Sequence, residues 1–229
     1  YEISPRDWSS DVCSSDLTGQ WTLVSAAENA VVVSTINAAV EARVLSSMKD
    51  ARVTASTRLR GPTSTLAVHR AELAQRLHDA LYAAKIVSYT QGLDLMRTMS
   101  EKQGWALDLG GIASIWRGGC IIRARFLGRI TDAYRADPEL PNLMRAPFFE
   151  GVLNRSQQAW REVVAMAVAS GVPVPALSAS LAYYDSYRCA RLPANLLQAQ
   201  RDFFGAHTYE RVDRPAGQWF HTVWPEVIG

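Results

Sequence analysis

The spacing of apolar residues is the feature that most constrains the fold of this chain. From Trp21 onward, apolar side chains recur every three or four residues, as they do along one face of an α-helix. No segment combines sustained apolar–polar alternation with the β-branched enrichment that is typical of strands. The sequence therefore predicts an all-α domain of long helices.

Glycine and proline residues indicate where these helices end. The longest predicted helix covers about residues 65–103 and stops at Gly104, a residue that tolerates the left-handed conformation of a helix C-terminus. An earlier helical region, with a stripe along residues 36–48, ends at Gly61 and Pro62. The apolar stripe of the longest helix consists of Leu73, Leu77, Leu81 and Ala84. Further helices are predicted over residues 112–134, 148–170, 176–189 and 193–204, the last with proline in its first turn.

The two ends of the chain differ from this helical domain, which we assign to residues 18–213. Residues 214–229 contain Pro215, Gly217 and Pro225 and are predicted to form an irregular tail. Residues 1–17, rich in serine and aspartate, are predicted to be a non-native or disordered tail. Their DWSSDVCSSDL string, residues 7–17, matches the translation of a common sequencing adapter. We hypothesise an assembly artefact joined to a truncated gene, with a natural flexible N-terminus as the alternative; resequencing across the junction distinguishes them.

Composition narrows the classes of partner. The chain has 229 residues, 48% of them apolar and 20% charged, with a formal net charge of +2. This is the composition of a globular soluble domain, and it favours neither nucleic acid nor a membrane as partner. No apolar run approaches the ~18 residues that a membrane span needs. Cys13, Cys120 and Cys189 are too scattered for a disulfide framework or a zinc ribbon, so we expect a reducing, cytoplasmic location.

Motif searches assign no catalytic residue, nucleotide cradle or metal centre. No glycine-rich phosphate loop follows a strand, and the four histidines lack the spacing of metal ligands. The glycine pairs 110–111 and 118–119 fall within or at the start of a predicted helix, which favours close helix packing over phosphate binding. His69 and His78 are predicted to face solvent. Tyr183, Tyr184, Asp185 and Tyr187 form a cluster that is typical of packing at a helix interface.

One pair of residues suggests an anion site. In the stretch 198–210 (QAQRDFFGAHTYE), Arg201 lies near a predicted helix end and His207 follows a glycine. A guanidinium group binds phosphate through two donors, and an imidazole can add a third. The alternative is a surface arginine beside a capped turn. Arginine outnumbers lysine 21 to 3 throughout the chain, so an isolated arginine is weak evidence for such a site.

Longer strings resemble one known family, the C-terminal domain of decarboxylating 6-phosphogluconate dehydrogenases. The most specific are IWRGGCIIRARFL at 115–127 and LPANLLQAQRDFFGAHTYE at 192–210. Others lie at 18–62 (TGQWTLVSAAENAVVVSTINAAVEARVLSSMKDARVTASTRLRGP), 137–143 (DPELPNL), 182–187 (AYYDSY) and 220–224 (FHTVW). The resemblance implies a fragment of an NADP-dependent homodimeric enzyme that oxidises 6-phosphogluconate to ribulose 5-phosphate and CO2 in the pentose phosphate pathway.

The resemblance also implies roles for individual residues. Thr18 and Arg43 match substrate contacts of the family, and Arg201 and His207 match a pair that reaches the neighbouring subunit's site. Gln20 departs from the lysine that is usual at its position. The family's lysine and glutamate, its general base and acid, and its NADP-binding Rossmann domain would precede Thr18. We therefore expect this chain to lack catalytic and cofactor-binding residues and to be inactive by itself.

Two other interpretations remain open at this point. The chain could be a non-catalytic helical module for dimerisation or binding; a natural start codon near Thr18 would favour that, and an in-frame upstream dinucleotide-binding fingerprint would favour the enzyme. A related β-hydroxyacid dehydrogenase is the weaker alternative, because those enzymes have a shorter helical domain and lack the QAQRD motif.

Overall fold

The computed structural model describes residues 17–63, 69–118, 120, 122 and 124–225, and these residues are overwhelmingly helical. The helices are α1 (Leu17–Glu28), α2 (Ser34–Ser47), α3 (Lys49–Ser56), α4 (Arg70–Gln103), α5 (Leu109–Ile115), α6 (Leu127–Ala136), α7 (Pro147–Ala169), α8 (Pro175–Tyr187) and α9 (Asn195–Gly205), with a 3-10 turn at Leu143–Arg145. The strands β1 (Tyr209–Glu210) and β2 (Trp219–Phe220) pair antiparallel. The all-α prediction is confirmed.

The chain divides into two compact units, one ending at Tyr184 and the other beginning at Asp185. In the first unit, α4 packs along α7 and supplies much of the core. Trp160 is fully buried there, and its indole Nε1 donates a hydrogen bond of 3.1 Å to the Leu177 carbonyl of α8. The ring of Tyr184 lies 5.9 Å from it. The prediction that this tyrosine packs at a helix interface is confirmed.

The longest helix ends where the sequence predicts, but it buries a different face. Gly104 closes α4 with a φ of +67°. Leu77 and Leu81, predicted to lie on its apolar stripe, are 45% and 65% exposed, whereas the alanines of the adjoining face are buried. The predicted stripe is therefore wrong for these two leucines, because side-chain periodicity marks an apolar face without showing which neighbour covers it. Residues 64–68, where the predicted helix begins, lie outside the described residues.

The predicted helix 112–134 is in fact two helices. The carboxylate of Asp108 accepts a hydrogen bond of 2.9 Å from the Gly111 amide and caps the start of α5. This helix ends at Ile115, and α6 begins at Leu127. Trp116 and Arg117 form a turn directly after α5, an end that apolar periodicity alone does not reveal.

Close helix packing, predicted at the glycine pairs 110–111 and 118–119, is confirmed at Gly110 and wrong at Gly118. A Cβ on Gly110 would lie 3.3 Å from the Thr131 carbonyl oxygen and the Tyr134 Cβ, so the missing side chain allows α5 and α6 to approach. A Cβ on Gly118 would meet nothing within 4 Å, so close packing is the wrong interpretation there. Gly119 lies outside the described residues.

The ends of the chain need smaller corrections. Residues 1–16 of the predicted tail lie outside the described residues, and Leu17 already belongs to α1. Pro193 precedes α9 and is not part of its first turn. The C-terminal tail is not wholly irregular, since β2 lies within it and pairs with β1.

His69 and His78 are exposed as expected. No helix in the described part of the chain is long and apolar enough to span a membrane.

A mostly buried carboxylate ties three parts of the first unit together. Asp94 of α4 accepts hydrogen bonds from Asn142 Nδ2 at 2.9 Å and from the Tyr183 hydroxyl at 3.3 Å, and it pairs with Arg97 at 3.0 Å. Burial raises the pKa of Asp94 to about 6, although these three partners oppose that rise. The native state therefore holds this proton more tightly than the unfolded chain does.

This pKa predicts a dependence of stability on pH. The contribution of Asp94 is fully present below its ordinary pKa of 3.8 and is lost as the pH rises through about 6. The free energy of unfolding should fall by roughly 2 kcal/mol between pH 4 and pH 7 through this group. Asp94→Asn should remove that part of the slope in urea unfolding curves, whereas Asp132→Asn, at an exposed carboxylate, should keep it. An equal slope in the wild type and in Asp94→Asn would contradict the prediction.

Candidate functional site

The end of α9 brings the two predicted anion-binding residues into one turn. The Arg201 carbonyl accepts a 3.5 Å hydrogen bond from the His207 amide. Ala206 and Thr208, on either side of His207, have φ values of +49° and +46°. Residues other than glycine rarely adopt such values, and local strain of this kind concentrates at functional sites. Both predicted side chains are exposed and available to a ligand.

Gly205 leaves room for the imidazole of His207. A Cβ at this position would lie 2.8 Å from both Cδ2 and Nε2 of the His207 ring. The imidazole therefore rests against the end of the helix, in space that any other residue would occupy. The string RDFFGAH thus encodes a close approach of the ring to the backbone, as well as a helix end.

One side chain of α9 contacts both Arg201 and the residue that follows His207. The amide of Gln198 accepts a hydrogen bond of 3.2 Å from Nη1 of Arg201 through its Oε1. Its Nε2 donates a hydrogen bond of 2.6 Å to the Thr208 carbonyl, directly after His207. Because one planar amide group makes both contacts, it holds the guanidinium group of Arg201 in place relative to the backbone that follows His207.

Asp202 anchors the C-terminal strand beneath the same helix. This residue is fully buried, and its Oδ1 lies 2.9 Å from His221 Nδ1. Its Oδ2 accepts hydrogen bonds of 3.0 Å from the Thr222 amide and from Trp224 Nε1. Burial alone would raise the pKa of Asp202, but these hydrogen bonds outweigh burial and lower the pKa below its ordinary value. A buried anion therefore lies one residue from Arg201.

The anchored strand in turn holds the segment that follows His207. Tyr209 pairs with Phe220 and Glu210 with Trp219 in the two-stranded ribbon. The hydroxyl groups of Tyr209 and Thr222 lie 2.6 Å apart. A cavity of about 300 Å³ lies beside this ribbon, but neither Arg201 nor His207 lines it. The predicted pair instead lies on an open surface.

The other two predicted contacts lie in the first unit. Thr18 is an exposed residue in the first turn of α1, and Arg43 is a half-buried residue of α2. A Cβ on Gly19 would lie 2.9 Å from Val40 Cγ2, so α1 and α2 pack closely at this point. Since Thr18 precedes Gly19 and Arg43 lies about one turn beyond Val40, the structure places both predicted contacts at the same end of this helix pair.

Sequence reasoning missed the roles of Gln198 and Asp202. Both residues lie inside the QAQRD string, so their position next to Arg201 was visible. The partners of Gln198 Nε2 and of the Asp202 carboxylate lie 10 to 22 residues away in the chain, and local patterns carry no information on such contacts. Among the described residues, no cluster of three histidine, cysteine or acidic side chains could hold a metal ion.

Comparisons with known proteins give one consistent result. Residues 7–224 match the family model of the 6-phosphogluconate dehydrogenase C-terminal domain. The chain is 54% identical over 215 residues to the decarboxylating 6-phosphogluconate dehydrogenase of Drosophila melanogaster, covering 93% of this chain and 44% of that protein. It is 53% identical over 207 residues to the Escherichia coli enzyme, covering 90% and 44% respectively.

A solved structure agrees with these relatives. The 6-phosphogluconate dehydrogenase of Plasmodium falciparum superposes with a TM-score of 0.84 at 42% identity, covering 92% of this chain and 45% of that one. That enzyme has been solved as the apo form, with NADP+ and with 6-phosphogluconate. The present chain thus spans less than half the length of each of these relatives.

Proposed function

Because the chain belongs to the 6-phosphogluconate dehydrogenase C-terminal domain family, we propose that it is the substrate-binding and dimerisation part of a decarboxylating enzyme of this kind. The whole enzyme would oxidise 6-phospho-D-gluconate, with NADP as oxidant, to ribulose 5-phosphate and CO2 in the pentose phosphate pathway. The observation that carries the proposal is the turn that joins Arg201 and His207, within a family match that spans residues 7–224.

The chemistry of this turn suits a phosphate ester. A phosphate group near −2 charge is bound well by guanidinium donors, and each charge-assisted hydrogen bond contributes roughly 1.5–3 kcal/mol. We assign Arg201 and His207 to the phosphate end of the substrate, together with Thr18 and Arg43. All four residues would bind and orient the substrate, and none of them would transfer a proton or a hydride.

We further propose that two copies of the chain complete the site. Arg201 and His207 form an open surface, which by itself cannot enclose a ligand. The second unit also exposes large apolar side chains, with Phe204 at 81% and Val223 at 92%. Exposed apolar side chains on so small a unit favour burial against another chain. In the proposed homodimer, this unit delivers Arg201 and His207 to the site of the neighbouring subunit.

The residues described here do not fit NADP. A dinucleotide binds at the carboxyl ends of parallel strands, beside a glycine-rich turn. The described residues contain one antiparallel ribbon of two-residue strands and no parallel sheet. We therefore assign NADP to a part of the whole enzyme outside this chain and place the enzyme in the cytoplasm.

A titration of the purified 229-residue chain tests the proposal. We expect calorimetry to detect binding of 6-phosphogluconate, and to show binding at least about tenfold weaker for gluconate, which lacks the phosphate group. The chain by itself should not reduce NADP. A chimera in which the unmatched part of the Drosophila melanogaster relative precedes Thr18, called the joined enzyme below, should do so. Equal affinity for the two sugar acids would contradict the assigned phosphate site.

A further inference from the structure

The position of Asp202 presents an electrostatic problem. Consecutive residues of a helix point about 100° apart, so Arg201 faces solvent while Asp202 faces the ribbon. A carboxylate therefore lies on the residue next to the arginine to which the proposed function assigns a phosphate. On charge alone, an ionised aspartate on a neighbouring residue weakens the binding of an anion. Because Asp202 opposes anion binding at Arg201, we expect it to have a different, structural role.

The contacts of Asp202 indicate that role. All three groups that hydrogen-bond to its carboxylate lie in the segment 221–224, which follows β2. That strand pairs with Tyr209 and Glu210, which begin two residues after His207. A continuous set of contacts thus leads from the Asp202 carboxylate, through the ribbon, to the backbone two residues after His207.

The backbone on either side of His207 makes those contacts necessary. Ala206 and Thr208 both have a positive φ, a conformation that costs free energy and persists only where surrounding contacts enforce it. Gln198 holds the Thr208 carbonyl from the side of the helix, and the anchored ribbon holds the segment from the other side. Without the Asp202 anchor, the turn is free to relax and to carry the imidazole away from Arg201.

We propose that Asp202 is a positioning residue, which holds the strained turn so that His207 stands beside Arg201 and both can bind the substrate phosphate. This inference rests on the proposed function of that pair. It also predicts the opposite sign from electrostatics: truncation of the Asp202 side chain, which removes a nearby negative charge together with its anchoring contacts, weakens phosphate binding.

The test compares variants of the 229-residue chain by calorimetric titration with 6-phosphogluconate. We expect Asp202→Ala to bind about tenfold more weakly, the equivalent of one lost charge-assisted hydrogen bond. Asp202→Asn keeps the shape and an acceptor oxygen for Thr222 and Trp224, so it should remain within about threefold of the wild type. Asp213→Ala removes the same charge from an exposed carboxylate of this unit and should bind as well as the wild type.

The outcomes separate this inference from the function on which it rests. If the wild-type chain does not distinguish 6-phosphogluconate from gluconate, the phosphate site fails and the inference fails with it. If the wild type binds 6-phosphogluconate more tightly than gluconate, and Asp202→Ala binds 6-phosphogluconate as well as the wild type or more tightly, the inference alone is overturned.

If Asp202→Ala does not fold, a milder variant, Trp224→Phe, tests the same inference. Trp224→Phe keeps an aromatic ring at this position and removes one donor to the carboxylate. We expect threefold weaker binding or more, together with a shift in the His207 ring NMR signals that Asp213→Ala does not produce. Unchanged affinity and unchanged signals would overturn the proposal.

Discussion

Replacing Arg201 with alanine in the joined enzyme is expected to raise the KM for 6-phosphogluconate about tenfold to a hundredfold, and to change kcat by less than about threefold. A charge-assisted hydrogen bond is worth roughly 1.5–3 kcal/mol, and about 1.4 kcal/mol corresponds to a factor of ten. The phosphate on C6 is remote from the carbon that is oxidised. Its binding is therefore the same in the ground state and the transition state, and its loss appears in KM.

Arg214→Ala is the matched control for this prediction. Arg214 is an exposed arginine of the same unit, outside the turn that joins Arg201 and His207. The control variant carries the same loss of charge and should keep the KM of the parent. Steady-state rates of NADP reduction over a range of substrate concentrations measure both parameters. An unchanged KM in Arg201→Ala, or an equal rise in both variants, would contradict the assigned role.

The largest effect on stability is expected for Trp160→Ala, which should lower the free energy of unfolding by about 3–5 kcal/mol. Trp160 is fully buried between α7 and α8, so truncation leaves a cavity that its neighbours cannot fill. The change also removes the donor to the Leu177 carbonyl, which lies in the same packed region. Urea unfolding followed by far-UV circular dichroism measures the loss.

Two further variants separate the causes of this loss. Trp160→Phe keeps most of the apolar volume and removes the indole donor. It should lower the free energy of unfolding by the small cost of the lost volume and by about 1 kcal/mol more for the lost hydrogen bond. Trp105→Ala truncates a tryptophan that is 56% exposed in the same unit, and it should cost under about 1 kcal/mol. A similar loss in Trp105→Ala and Trp160→Ala would show that burial is not the cause.

Local sequence information predicted the elements of the fold that depend on local interactions. Gly104 ends α4 as expected, because a glycine at a helix C-terminus adopts a left-handed conformation without steric cost. Trp160 and Val163 lie in the core as their spacing along α7 indicates. The same reasoning joined α5 and α6 into one helix, because apolar periodicity continues on both sides of the turn at Gly118 that separates them.

The candidate site was predicted in part. The family resemblance selected Arg201 and His207, and the structure places them in one turn, although their role remains a prediction. It also selected Thr18 and Arg43, which lie at the same end of the α1–α2 pair. The residues that organise the first pair, Gln198 and Asp202, were not selected, since an amide and a carboxylate on a helix are usually solvated.

By itself, the sequence determined the helical class and most helix ends and selected Arg201 and His207 as the predicted anion-binding pair, because periodicity, caps and motifs act over a few residues. Only the tertiary structure decided that Leu77 and Leu81 of α4 are exposed, that the C-terminal tail forms a strand and that Asp202 is buried beneath it. The physical reason is the range of the interactions: burial of a face and satisfaction of a carboxylate depend on partners brought close by folding. The Asp202 carboxylate meets donors 19 to 22 residues further along the chain, and no local pattern specifies that encounter.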